Sequence, residues 1–183
     1  MRLFFALPLP SEVKEKLRPL LDEARQVSAG GVGFTKVEQL HFTLAFLGEQ
    51  PHPDEALAAG ESLREVRAFD LVLSGVGAFP STMRPRVLWL GVTDGAAELI
   101  GAAERLQKAL RERGFALEDR KFRPHLTLGR VRPQGERGAK RAMSVIPPGE
   151  LGRCNMRGAC LMQSVLGGQS GATHTVVRMF PFR

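Results

Sequence analysis

The chain has 183 residues, 43% hydrophobic and 25% charged, a balance that excludes both a disordered polar segment and a membrane-embedded bundle. No run of 18 apolar residues occurs, and Met1-Arg2-Leu3-Phe4-Phe5-Ala6-Leu7 is too short and too soon interrupted for a secretory leader. A cytoplasmic protein is expected, with no membrane contact.

Residues 2–8 read as a strand, followed by a helix over residues 11–26 that places Val13, Leu17, Leu20 and Leu21 on one stripe, with Pro19 expected to kink it. Gly30-Gly31-Val32-Gly33 reads as a loop, the segment after His41 as a strand, and residues 54–67 as a second helix. Residues 69–74 and 86–92 read as strands separated by a turn-rich loop over 75–85. The strongest helical pattern spans residues 95–113, with Leu99, Ala103, Leu106 and Leu110 in register and Gly114 as its stop. Pro124 is placed to open a further strand, since a strand's first residue tolerates a missing donor. A short basic helix over 134–143 follows, then two strands, 153–166 and 173–180, joined across Gly167-Gly168-Gln169-Ser170-Gly171. Helices and strands mix here without strict alternation, which favours an α+β fold with antiparallel sheets. No linker or low-complexity tract interrupts the chain, so residues 1–183 are read as one domain. Cys154 and Cys160 would lie roughly 20 Å apart in an extended strand, too far for a disulfide, and are read as small core residues.

One phrase occurs twice, His41-Phe42-Thr43-Leu44 and His125-Leu126-Thr127-Leu128. Chance places Thr at +2 and Leu at +3 of two of the four histidines on the order of one time in ten thousand. In a strand the histidine and threonine share one face, roughly 6.5–7 Å apart, while the apolar residues between them face a core. Each half then offers an imidazole that gives or takes a proton and a hydroxyl that donates a hydrogen bond. Two such imidazoles on either side of a phosphorus atom would serve as general base and general acid, with Thr43 and Thr127 holding phosphate oxygens. The competing reading, two histidines satisfied by neighbouring carbonyls, leaves the shared threonines unexplained. Two histidines without a clustered carboxylate or thiol are a poor zinc set, and neither metal nor cofactor is expected.

The net charge of +7 is unevenly placed. Residues 105–157 hold fourteen Lys/Arg against five Asp/Glu, a local +9, whereas the other residues hold twelve against fourteen. Twenty of the 26 basic residues are arginine, the side chain that best matches phosphate; charge alone would equally suit an arginine-rich proteome or a thermophile's surface, but combined with the doubled histidine phrase it makes nucleic acid the favoured partner.

At these residues the chain resembles the 2H phosphoesterases, and within them the bacterial and archaeal RNA 2′,3′-cyclic phosphodiesterases, also called 2′-5′ RNA ligases. The resemblance begins at Arg2-Leu3-Phe4-Phe5-Ala6-Leu7 and takes in Leu40 to Gly48, Pro85 to Gly91 and Phe122 to Arg130. It ends in Val165 to Gly168, Thr175-Val176-Val177 and Phe180-Pro181-Phe182, which look like the family's closing hairpin. It implies two pseudo-symmetric lobes around a central cleft, one His–Thr strand in each. It implies hydrolysis of 2′,3′-cyclic phosphate RNA ends, or of small cyclic nucleotides, to 2′-phosphates, with 2′-5′ ligation as a possible reversal. His125 would be the base that activates water and His41 the acid at the leaving ribose oxygen. His174 departs from the pattern, since an aromatic such as tyrosine is expected there.

Arg130 is the remaining candidate for the site, as a substrate contact. Strict alternation puts it on the face opposite His125 and Thr127 unless Gly129 permits a bulge. Arg123 and Lys121 read as a solvated rim, His52 as a surface-loop residue, and Trp89 and Phe46 as core positions with base stacking as the alternative. A basic, non-catalytic RNA-binding module is the competing function. It would tolerate loss of either histidine. No long apolar stripe calls for a second copy, so a monomer is expected.

Overall fold

The structure is a computed structural model that describes residues 1–166 and 172–183. Two antiparallel sheets carry the architecture. The first has the strand order β3 (His41–Glu49), β1 (Arg2–Pro8), β8 (Gly158–Leu166), β9 (Ala172–Pro181). The second has the order β2 (Val32–Phe34), β6 (Leu126–Val131), β5 (Pro85–Val92), β4 (Phe69–Pro80), β7 (Glu150–Met156). The helices α2 (Asp54–Gly60) and α3 (Ala96–Glu112) lie on the first sheet, and α1 (Ser11–Val27) and α4 (Glu136–Ser144) on the second. α1 leaves a strand of the first sheet to cover the second, while α3 leaves β5 of the second to cover the first. The halves are therefore interlocked.

Alternation decides which face of each sheet is covered. Leu3, Phe5 and Leu7 of β1 and Phe42 and Leu44 of β3 point to one side and are sealed together with Leu99, Leu106 and Leu110 of α3. Leu88 and Leu90 of β5 and Leu126 and Leu128 of β6 are buried in the same cluster, with Val13, Leu17 and Leu21 of α1. Each such side chain contributes about 1.5–3 kcal/mol relative to exposure. Among the described residues the opposite face of each sheet carries no helix. The two motif strands, β3 and β6, come within 8 Å of one another, Cα to Cα, and the uncovered faces beside this approach are called the groove.

Several sequence expectations are corrected by long-range contacts. Val32–Phe34 is a strand, because β2 pairs with β6 through Val32↔Val131 and Phe34↔Gly129. The second helix tightens after Gly60 into a 3₁₀ turn over Glu61–Glu65. A Cβ on Gly60 would stand 2.4 Å from the Phe180 ring, so the glycine is what lets β9 close against that helix. β4 runs on to Pro80 rather than stopping at Ser74, with its register shifted beside Gly75, whose φ is +73°. Residues 153–166 are two strands rather than one: β7 pairs with β4 in the second sheet, and β8 pairs with β1 and β9 in the first. The helix over Pro19 stays continuous. The turn across Gly167 to Gly171 lies outside the described residues, while its flanks pair as Leu166↔Ala172. Both cysteines are free and buried, and no helix among the described residues is long and apolar enough to cross a membrane.

Candidate active site

The two histidines are held the same way. Nδ1 of His41 lies 2.6 Å from the carbonyl oxygen of Gln39, and Nδ1 of His125 lies 2.6 Å from that of Arg123. A carbonyl only accepts, so each Nδ1 carries the proton and donates. Nε2 is thereby left as the nitrogen available for proton exchange, a base when bare and an acid when protonated. His41 opens β3, whereas His125 stands one residue ahead of β6, because Pro124 supplies no N–H to extend the ladder. Each ring also leans on a phenylalanine of the same sheet. Phe4 lies 5.2 Å from His41 and Phe79 lies 5.0 Å from His125, centroid to centroid.

Both motif strands bulge directly after the threonine. In β3, Thr43 pairs with Ala6 and Ala45 with Phe5, so Leu44 is the extra residue. In β6, Thr127 pairs with Trp89 and Gly129 with Leu88, so Leu128 is the extra residue. A bulge places two successive side chains on one side. Accordingly Leu44 and Ala45 are both buried, as are Leu128 and Gly129. The carbonyls at the two bulges find donors: Gln107 Nε2 of α3 reaches Leu44 at 2.9 Å, and the Thr35 backbone N–H reaches Leu128 at 2.8 Å. Glycine is needed at 129, since a Cβ there would stand 2.7 Å from the Gly33 oxygen.

The bulge resets the alternation and brings the fifth residue after each histidine onto the groove face. Arg130 pairs with Val87, two residues from the Trp89 that faces Thr127, so Arg130 shares the side of Thr127 and is exposed. Its counterpart in the first sheet is Phe46, which pairs with Phe4 and is 68% exposed, not a core residue. Trp89 is not core either. It is half-buried on the groove face, 5.2 Å from Phe79. Arg123 and Lys121 are exposed, as expected of a rim, with the Arg123 guanidinium 5.0 Å above Phe79. His52 is exposed. Not all of the basic stretch is free: Arg141 donates to the Val27 carbonyl and Arg132 to that of Gly30. A hollow of about 890 Å³ between Pro8–Glu12 and Cys154–Gly158 contains neither histidine.

Burial dominates the electrostatics. It pushes His41 down to about 4, against the opposing pull of the Gln39 carbonyl, with His174 and Lys14 lowering it slightly further. His125 is lowered in the same sense, by burial and then by the Arg123 charge, against its own carbonyl bond. Both rings are therefore neutral in the free protein at neutral pH, with bare Nε2 atoms. An anionic group between them would favour the cationic form of either and raise both values.

Sequence reasoning missed Phe4, Phe79 and Gln107, whose roles arise only from strand pairing and helix docking. It noted His174 only as a departure that makes one side of the cleft more polar, without its contact to His41. The His174 ring lies 5.4 Å from His41.

Thr43 and Thr127 stand two residues beyond the histidines on the same face, half-buried, with hydroxyls that make no hydrogen bond within the described residues. Replacing either by Ala is expected to slow turnover about 10- to 10³-fold, the range for losing one oxyanion donor, while Ser retains much of the activity. Equal damage from Ala and Ser in steady-state assays would assign the threonines to packing.

A sequence model of the family described as "LigT like Phosphoesterase" matches residues 7–89 and again residues 90–164, one match per motif. The RNA 2′,3′-cyclic phosphodiesterase of Archaeoglobus fulgidus is 42% identical over 72% of this chain and 73% of its own. The protein of that name from Thermus thermophilus is 33% identical over 100% of this chain and 91% of its own. Among solved structures, TT0787 of Thermus thermophilus superposes with a TM-score of 0.81 at 30% identity, covering 99% of this chain and 97% of that one. Escherichia coli LigT complexed with 3′-AMP gives 0.77 at 27%, covering 99% and 97%. The chain belongs to the LigT-like phosphoesterases of the 2H superfamily.

Proposed function

We propose that this protein is an RNA 2′,3′-cyclic phosphodiesterase that opens the cyclic phosphate at an RNA end to a 2′-phosphate by two-histidine acid–base catalysis without a metal. The observation that carries the reading is the pair of imidazoles with Nδ1 tied to a carbonyl and Nε2 free, each followed by a threonine on the same face. His125 Nε2 takes a proton from water as its oxygen attacks phosphorus. The P–O3′ bond breaks on the opposite side, and O3′ receives the proton of His41 Nε2. The products are a 2′-phosphomonoester and a 3′-hydroxyl, and the two histidines exchange protonation states with solvent before the next turnover. Thr43 and Thr127 donate to the non-bridging oxygens, on which charge builds in the transition state. Arg130, on the same face, pairs with RNA phosphate. Reversal, with a ribose 5′-hydroxyl in place of water, uses the same two groups and would give a 2′-5′ linkage. The protein acts as a cytoplasmic monomer.

The sign of the pH dependence follows from the burial shifts. The base must be neutral, so kcat/KM falls below its pKa; the acid must be protonated, so kcat/KM falls above its own. With His41 at about 4 and His125 lowered from the ordinary 6.5, the kcat/KM bell should peak on the acid side of the ordinary imidazole range. The kcat bell should lie at higher pH, because the bound phosphate monoanion favours both cations. A kcat/KM maximum above pH 7 would count against buried, neutral histidines as the reacting pair.

The substrate class is tested by comparing initial rates on an oligoribonucleotide ending in a 2′,3′-cyclic phosphate and on the same oligomer ending in a 3′-phosphate. Consumption of the first alone is expected.

A further inference from the structure

A third imidazole stands on the uncovered face of the first sheet. His174 lies opposite Ser164, two residues from Val176, which pairs with Met162 and through it with Phe4, so His174 shares the face of Phe4 and His41. Its ring is edge-on to both, 4.9 Å from Phe4 at 70° and 5.4 Å from His41 at 76°. His174 Nδ1 is buried and has no hydrogen-bond partner among the described residues, which leaves Nε2 on the accessible side of a half-buried ring.

An orphaned buried nitrogen fixes the tautomer. A neutral imidazole has one N–H and one bare nitrogen. Sealing an unpaired N–H away from water is more costly than sealing a bare nitrogen, and sealing an N–H of the cation is costlier still. The favoured form is therefore neutral, with Nδ1 bare and the proton on Nε2. Burial depresses the His174 pKa in the same direction. The ring thus presents one neutral donor beside the free Nε2 of His41. Of the charged and titratable groups near His41, its own Nδ1 is bonded to Gln39 and the Lys14 ammonium of α1 donates to the Glu38 carbonyl, while Arg178 of β9 lies on the helix-covered face, paired with Glu61.

We propose that His174 Nε2–H is a third neutral donor of the site and binds a phosphate oxygen of the RNA end on the His41 side. The inference rests on the phosphodiesterase reading for the identity of its ligand. It adds a substrate contact that lies outside both doubled phrases, on the edge strand of the first sheet.

The test combines three variants with a direct reading of the ring. Nitrogen-15 imidazole spectra of the wild-type protein at pH 7 should show His174 neutral and protonated at Nε2, with that signal moving on addition of uridine 2′-monophosphate or inorganic phosphate. His174→Phe keeps the ring packing and removes the donor; it should weaken binding of uridine 2′-monophosphate, and raise KM, by about tenfold with a smaller change in kcat. His174→Gln places an amide N–H near the position of Nε2 and should restore binding to within about threefold of wild type. His174→Ala, lacking both ring and donor, should be at least as weak as the Phe variant. Thermal midpoints of all three show whether any variant is misfolded. A Phe variant that binds as tightly as wild type while the Gln variant is weak would assign the ring to packing and overturn the proposal. So would an imidazolium or an Nδ1–H tautomer at pH 7. A wild-type protein that leaves cyclic phosphate ends intact would instead defeat the phosphodiesterase reading, while the inorganic phosphate titration still reports on the donor.

Discussion

His41→Ala and His125→Ala will each slow ring opening by roughly 10² to 10⁴-fold or more, the range for removing one positioned acid or base. Neither change should unfold the protein, because each imidazole lies on the uncovered face and its apolar neighbours in sequence supply the core contacts. The informative variant is the double one. If both imidazoles act on a single transition state, removing the second adds little once the first is gone, since the remaining group has no partner reaction to complete. The double mutant should therefore be little worse than the worse single. Losses that multiply in full, measured as kcat/KM on the same cyclic-phosphate RNA, would mean two independent contributions. A basic RNA-binding module makes the opposite prediction for binding, retaining RNA affinity in both single mutants with no turnover to lose.

A substrate whose 3′-oxygen is replaced by sulfur will rescue His41→Ala and leave His125→Ala inactive. A thiolate departs without a proton, so the acid becomes dispensable, whereas water still has to be deprotonated by the base. The expected rescue recovers most of the factor of roughly 10² to 10⁴ lost with the oxygen substrate. Burial disfavours the His41 cation, so a ring that the bound phosphate has charged is predisposed to return to its neutral form by giving its proton to the leaving oxygen. Rescue of His125→Ala instead would exchange the two roles while leaving the pair intact. Rescue of neither would leave the two histidines without an acid–base division of labour.

Much of this was legible in the sequence because local patterns carried it. The doubled phrase marks the two motif strands, and the 3.6-residue spacing of Leu99, Ala103, Leu106 and Leu110 marks α3 almost to its ends. A bulge at Gly129 was left open by the sequence and the one in β3 was not legible, because Leu44-Ala45 and Leu128-Gly129 look like continuing strand until the partner's register is known. That single feature decides whether Phe46 and Arg130 face the core or the groove. The division of residues 153–166 between two sheets was hidden for the same reason: each half is apolar enough to continue the other, and only pairing with β4 and β1 separates them. His174 entered the sequence reading as a departure from a resemblance. Its place against His41 depends on β9, a strand more than 130 residues away in sequence.

The measurement that bears most directly on two-histidine, metal-free ring opening is product identification with EDTA present. An oligoribonucleotide ending in a 2′,3′-cyclic phosphate is incubated with the protein and excess chelator, and the terminus is read by phosphorus NMR. Undiminished conversion to a 2′-phosphate, with none of the 3′-isomer, is the expected result. Activity that vanishes with EDTA and returns with zinc, or a 3′-phosphate product, would contradict the account.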